Sequence, residues 1–473
     1  MARLLNEKVF KAIKDCHITL RPDAHPGTWL SLLLPAAIII SVIKHPKECS
    51  EVYKLTAILA IGLLLTSIIF IIQCVREKDI RKVTGLHCVP GAVTGFIYYA
   101  IIEKGFVFAF TSGFLSGIGY YQLFLFLMRR CKACFSVGEA QLAAQALILF
   151  LYGATVTIYK SLFTVPYTNM DIATLTISVG LLSIGFLCML CYLFPLLRTV
   201  TMFYVTFVCI CLFGIIIPLW MLTRINPLWW IFTFLLKSIG TIKLTFYWIL
   251  CSILAVIAIN QRSADETKAS TTVRKVFHLL AVAVFLPGLL YECTLLYLAS
   301  AVVFGIFAFL ELMRILKIPP IGEALNSAFS VFSDEKDTFI ALSPLYLLVG
   351  ISLPMWLHPA PCDIADSCGF YLLPLASGII TIGIGDAAAS GVGSIFGMHK
   401  WPGTKKSVEG TIACVATQLC AVFILLYLGL IARGHLLLIK AAIAAIVTSL
   451  IEAKTTQVDN HTLPLIMYII VTL

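Results

Sequence analysis

The sequence predicts an all-α, polytopic integral membrane protein with roughly fourteen transmembrane helices. Three observations carry this. Of 473 residues, 60% are hydrophobic and only 12% are charged, against about 25% charged in a soluble domain. Apolar runs long enough to cross about 30 Å of hydrocarbon recur along the whole chain. The runs are continuous and not alternating, which selects helices over the strands of a membrane barrel.

Taken in order, the apolar runs fall near 29–43, 55–75, 90–102, 106–128, 141–159, 172–195, 200–222 and 242–260; the stretch 226–238 is too short to assign. The longest hydrophilic stretch between spans, QRSADETKASTTVRK at 261–275, divides the chain into an N-terminal multi-span region, 1–260, and a C-terminal region, 261–473. In the second region the runs fall near 276–292, 295–313, 338–357, 370–385, 410–432, 436–452 and 461–473. Met1 to Thr28 carries Arg3, Lys8, Lys11, Lys14 and Arg21 among apolar residues. It reads as a cytoplasmic, interfacial amphipathic helix and not as a cleavable signal. The net charge of +10 does not point to nucleic acid, because the basic residues flank helix ends. The 16 cysteines are scattered, many within spans, as small buried hydrophobes and not as a disulfide framework. Cys131 and Cys134 have CxxC spacing, but nothing in the sequence completes a zinc site around them.

Basic residues fix the orientation of the C-terminal region. The loops 261–275, 314–337, 386–409 and 453–460 hold 11 Lys and Arg, whereas the alternate loops hold only Arg433. By the positive-inside rule the first set faces the cytoplasm. The polar oddities of this region fall on the same side, so distant segments can converge there on one pocket. The sequon Asn460-His461-Thr462 also falls there and is expected to stay unmodified.

The richest stretch is GIGDAAASGVGSIFGMHKWPGTKKSVEG, 383–410, with six glycines between 383 and 403. A small-residue helix interface accounts for 383–397. It does not account for the continuation into WPGTKK, where glycine-rich backbone followed by Lys405 and Lys406 suits phosphate binding. The stretch is neither a Walker A loop nor a dinucleotide fingerprint. Asp386 ends an apolar run and must face protein, water or a cation. It is a candidate Mg²⁺ ligand, with Glu409 as a second, since phosphoryl transfer needs a metal, a carboxylate and several cations held in place. Arg274, Lys275 and His278 begin a span and can serve either as positive-inside flanks or as phosphate contacts. Glu311 and Arg314, spaced i, i+3, are read as a structural pair. Asp334, Glu335 and Asp337 form a charge cluster that is either solvated or in contact with nucleotide. Glu452, Gln457, Asp459 and Asn460 are too polar for a lipid face and are read as pocket lining.

RKVFHLLAVAVFLPG (274–288), FLELMR (309–314), SDEKD (333–337), GDAAAS (385–390), KWPGTKKSVEGT (400–411) and EAKTTQVDN (452–460) together resemble the dolichol kinase family. The resemblance extends to the wider CTP-dependent lipid kinases, which include yeast-type diacylglycerol kinase and plant phytol kinases. It spans about 274–464 in preserved order, and SVGEA at 136–140 adds a feature in the N-terminal region. The resemblance implies an enzyme of the endoplasmic reticulum membrane, with a cytoplasmic site, that uses CTP to phosphorylate dolichol; the cation expected from the carboxylates is Mg²⁺ or another divalent ion. It implies that the 400–411 region contacts CTP, with Lys400, Trp401, Pro402, Gly403, Thr404, Lys405, Lys406, Glu409 and Gly410 as the candidate residues. It also implies roles for Arg274, Lys275, Asp386 and Gly393; Gly385, Ser390, Asp334, Asp459 and Asn460 are further candidates for the nucleotide site. CTP over ATP, and dolichol over another lipid alcohol, follow from the resemblance alone. For the hydroxyl proton, His278 and Asp386 are the two candidate bases. The rival readings are a cytidylyltransferase, which would release pyrophosphate in place of CDP, a kinase of another lipid alcohol, and a secondary transporter. Residues 1–260 could shape the lipid path, hold a second copy of the chain, or anchor it.

Overall fold

The computed structural model describes residues 8–9, 19–22, 24–77, 88–103, 105–263, 271–320, 322, 324–325, 340–362 and 371–473. The described residues are helical, apart from turns and a single antiparallel bridge. Eight of these helices are long and apolar enough to cross a membrane. The other expected spans coincide with helices that are shorter or less apolar, so fourteen is not the number that length and hydropathy select.

The N-terminal helices are α1 (Leu30–Lys44), α2 (Glu51–Glu77), α3 (Cys88–Ala100), α4 (Phe106–Arg130), α5 (Val137–Phe163), α6 (Asn169–Leu193), α7 (Val200–Thr223), α8 (Pro227–Leu235) and α9 (Ile239–Ser263). The C-terminal helices are α10 (Thr271–Tyr291), α11 (Cys293–Leu316), α12 (Ser343–Leu357), α13 (Ile379–Ile395), α14 (Val408–Tyr427), α15 (His435–Lys454) and α16 (Asp459–Thr472). The stretch too short to assign from sequence is α8, started by Pro227 and capped by the Asn226 side chain.

Lipid tails are as apolar as leucine, so helices in a bilayer associate through close packing and hydrogen bonds. The centre of the bundle shows both. Helix α16 is buried along most of its length and packs against α1, α12, α13 and α15. Ser41 of α1 and Tyr468 of α16 share a hydrogen bond of 2.7 Å between the two regions of the chain. At Gly350 of α12 a Cβ would collide with the Asn460 carbonyl oxygen and the Ile382 side chain. Only glycine lets α12 come this close to the start of α16.

Three sequence expectations are corrected here. Residues 19–22 and 24–28 are not helical; they form a strap that buries Arg21. The apolar run does not end at Asp386. A π-helical stretch, Ile379–Asp386, passes directly into α-helix Ala387–Ile395, because Ala387-Ala388-Ala389 are strong helix formers. The small-residue helix read over 383–397 is thus present as far as Ile395, and only the segment beyond it is left for the phosphate-binding reading. Finally, Cys293 and Cys362 are joined in a disulfide, with Cα atoms 5.5 Å apart. A scattered cysteine pattern gave no sign of this pair, 69 positions apart.

Candidate active site

Six segments meet at one end of the bundle: the start of α10, the start of α12, α13 with its connection to α14, the α15–α16 connection, the α4–α5 connection and the N-terminal strap. They enclose a cavity of about 520 Å³. Of the residues singled out from sequence, Lys275, His278, Asp386, Ser390, Gly393, Lys400, Lys405, Lys406, Gly410, Glu452, Asp459 and Asn460 line it, and Gln457 does not. Arg274 lies within α10, but its side chain is outside the described residues, as is Asp334 altogether.

Asp386 is the last residue of the π-helical stretch. The extra residue of a π turn rotates the helix beyond it by about 100° relative to a continuous α-helix. That rotation sets Asp386 and Ser390 on the cavity, while Ile379, Ile380 and Ile382 stay in the apolar core. The Asp386 carboxylate is ion-paired with Lys275, and His278 Nε2 lies 3.5 Å from the same oxygen. Lys275 and His278 are separated by three residues on α10, which puts both on one helical face.

Lys406 reaches the other carboxylates. Its Nζ is 2.5 Å from Glu452 Oε1 and 3.2 Å from Asp459 Oδ2, and it donates to the Glu452 carbonyl at 2.5 Å. Burial works against the Lys406 ammonium, but Asp459 and Glu452 outweigh it and hold its pKa above the ordinary lysine value. The group therefore stays charged at any working pH. Oxygens of Asp386, Glu452 and Asp459 all lie within 4.8 Å of one another. Asp459 Oδ1 is buried without a hydrogen-bond partner.

WPGTKK forms a tight hairpin. Lys400 and Ser407 pair across it, Trp401 N donates to Lys406 O at 3.0 Å, and Val408 N donates to His399 O at 2.8 Å. Gly403 sits at its tip with φ +76, where a side chain would be strained. Trp401 Nε1 donates to Thr411 Oγ1 at 3.0 Å, and Lys454 lies 5.2 Å from the ring centroid. Trp401, Pro402, Gly403 and Thr404 thus build the turn that presents Lys400, Lys405 and Lys406, and are not cavity lining themselves.

Two further residues sit elsewhere than the sequence suggested. Glu409 is turned to His399, whose Nδ1 is 2.6 Å from its carboxylate; Glu452 and Asp459 take the place beside Asp386. Gly385 faces α14, where a Cβ would lie 2.8 Å from Gln418 Nε2. Its absent side chain serves packing. Glu311 and Arg314 form the structural pair read from the sequence, with N–O distances of 2.7 and 2.6 Å, and Glu311 also accepts from Ala341 N at 2.9 Å.

Sequence reasoning missed Arg21 and Cys134 as cavity lining, and the apolar wall of Phe277, Leu342, Pro344 and Leu347, while Ser407 and Thr411 fall within the 400–411 segment it singled out. Arg21 read as one more basic flank, and its partner Glu139 lies 118 positions away. Ser407 had a local signal, since it caps α14 by accepting from Gly410 N at 3.1 Å.

Apolar helices closing around a cavity of carboxylates and ammonium groups have the parts of a membrane-embedded phosphotransferase. Comparison with known proteins agrees. A family model described as dolichol kinase matches residues 114–342. The dolichol kinase of Bos taurus is 34% identical over 408 residues, covering 82% of this chain and 74% of its own. That of Mus musculus is 34% identical over 405 residues, with the same coverage of 82% and 74%. The Arabidopsis thaliana dolichol kinase EVAN is 30% identical over 389 residues, or 74% of this chain and 67% of its own. No solved structure matches. The chain belongs to the dolichol kinase family.

Proposed function

We propose that this chain transfers the γ-phosphate of CTP to the hydroxyl of dolichol, giving dolichyl phosphate and CDP, at a cavity on the cytoplasmic face of the endoplasmic reticulum membrane. The observation that carries the reading is the joining, in one cavity, of three mutually close carboxylates, four lysines and an apolar wall. Dolichol as acceptor comes from the family; the cavity supplies the chemistry.

Phosphoryl transfer needs positioned charge more than covalent chemistry. Lys275, Lys400, Lys405 and Lys406 supply the positive charge for a triphosphate. Asp386, Glu452 and Asp459 would hold a divalent cation such as Mg²⁺, which would neutralise charge on the phosphate oxygens. The donor set fits, because magnesium takes carboxylate oxygens together with phosphate, and the orphaned Asp459 Oδ1 is an oxygen awaiting a partner. Phe277, Leu342, Pro344 and Leu347 give the acceptor's hydrocarbon an apolar side of the same cavity. The hydroxyl then faces His278, to which we assign its proton, since Asp386 is engaged by Lys275.

The orientation has support from both ends. Among the described residues, Lys275, Lys400, Lys405 and Lys406 lie at the cavity end, as positive-inside requires. The Cys293–Cys362 disulfide follows the far end of α10, about 24 Å from Lys275 at 1.5 Å per residue. Disulfides persist in oxidising compartments such as the lumen.

The test is a product assay on the purified chain with labelled CTP and dolichol. The proposal expects dolichyl phosphate and CDP in equal amounts. Release of pyrophosphate would point instead to cytidylyl transfer, and ATP used as well as CTP would remove the assigned donor.

A further inference from the structure

The N-terminal region reaches the cavity through a knot of buried polar groups. Arg21, 3% exposed, donates from Nη2 to Glu139 Oε1 at 2.6 Å and to the Thr456 carbonyl at 2.9 Å. Glu139 Oε1 also accepts from Val458 N at 2.8 Å, while Oε2 accepts from Ser136 N at 2.8 Å. Ser136 in turn donates to Gln457 Oε1, and Gln457 Nε2 donates to the His25 carbonyl at 2.8 Å. His25 N donates to Thr456 Oγ1 at 3.0 Å. Each of the three residues 456–458 is thus held by the strap or by the start of α5.

A helix-capping box such as Ser136–Glu139 ordinarily satisfies only its own helix. Here the same carboxylate fixes the main chain immediately before Asp459, one of the three clustered carboxylates. Two of the bonds go to backbone groups, Thr456 C=O and Val458 N–H, whose positions set where the Asp459 Cα lies. Groups that orient a metal ligand without touching the metal set its affinity.

We infer that Arg21 and Glu139 are positioning residues for Asp459, so that the N-terminal region tunes the cation affinity of a site built by the C-terminal one. The inference rests on the assignment of Asp386, Glu452 and Asp459 to a divalent cation.

The experiment titrates Mn²⁺ alone into the purified full-length chain and reads bound ion by electron paramagnetic resonance, with thermal unfolding measured in parallel. Four variants are compared: Asp459→Asn, Arg21→Ala, Arg21→Lys and Gln457→Ala. Arg21→Ala should weaken Mn²⁺ binding roughly 10-fold or more, and Arg21→Lys should restore part of the loss. Gln457→Ala leaves the ion pair intact and should shift affinity in the same direction, which keeps the test open if Arg21→Ala does not fold. The KM for dolichol should stay at the wild-type value in folded Arg21→Lys and Gln457→Ala. Arg21→Lys and Gln457→Ala proteins that unfold at lower temperature yet bind Mn²⁺ as the wild type does would overturn the inference, leaving the knot a fold anchor. Wild-type binding by Asp459→Asn would overturn the cation-site assignment itself, and the inference with it.

Discussion

At the scale of single residues, the cavity holds charge that an apolar bilayer protein would otherwise exclude. Asp386 is the clearest case: 6% exposed, paired with Lys275 and close to His278. Replacing it with Asn removes the charge and keeps the shape. Asp386→Asn is expected to lower turnover about 100-fold or more, the range seen when preorganised charge is lost from a reaction site, with the unfolding temperature near wild type. Parallel assays of turnover and thermal unfolding check both halves. Lys406→Met should raise the KM for CTP, measured at fixed dolichol, because it removes a cation shared by Glu452 and Asp459. These residues were legible in the sequence because a charge beside an apolar run stands out. Arg21 was not, because one arginine among several in a basic leader looks like any other until its buried carboxylate partner is known. The distinction between Glu409 and Glu452 was likewise closed to sequence, since both are carboxylates at span ends and only packing turns one to His399 and the other to the cavity.

At the scale of elements, three devices place the site. The π turn ending at Asp386 rotates α13, the WPGTKK hairpin presents its lysines, and close contact at Gly350 sets the start of α16. The sequence marked WPGTKK as a candidate phosphate-binding segment through its glycine and paired lysines; its hairpin form and the placing of Lys400, Lys405 and Lys406 on the cavity came from the structure. The π turn was not legible, because its sequence, IITIGIGD, reads as an ordinary apolar helix end. The glycines split the same way: some shape packing and only Gly393 and Gly410 also line the cavity. Gly350→Ala should displace the Asn460 end of α16. Overpacking of this kind costs about 1–3 kcal/mol. The variant should therefore unfold earlier and turn over more slowly than Gly391→Ala, at whose position nothing lies within 4 Å of an added Cβ. Thermal unfolding and turnover of the two variants, side by side, provide the comparison.

At the scale of the whole molecule, a membrane fold with all its chemistry at one end follows from the physics of the bilayer: water-soluble nucleotide and membrane-soluble alcohol can meet only at the interface. The orientation proposed for the C-terminal region rests on 11 basic residues against one. The number of spans was not legible, because short helices such as α12 and α16 fall below the length at which hydropathy decides. The part played by residues 1–260 was also hidden, since it rests on contacts over hundreds of positions, such as Arg21 to Thr456. In sealed microsomes a membrane-impermeant thiol reagent should label Lys400→Cys in a cysteine-depleted background from outside, while Asn460 carries no glycan. The most direct measurement is photo-crosslinking with a reactive CTP analogue added outside the same sealed microsomes, followed by peptide mapping. The account predicts label on 400–411 and 452–460, displaced by excess CTP. Label confined to the N-terminal helices, or appearing only after the membrane is opened, would contradict it.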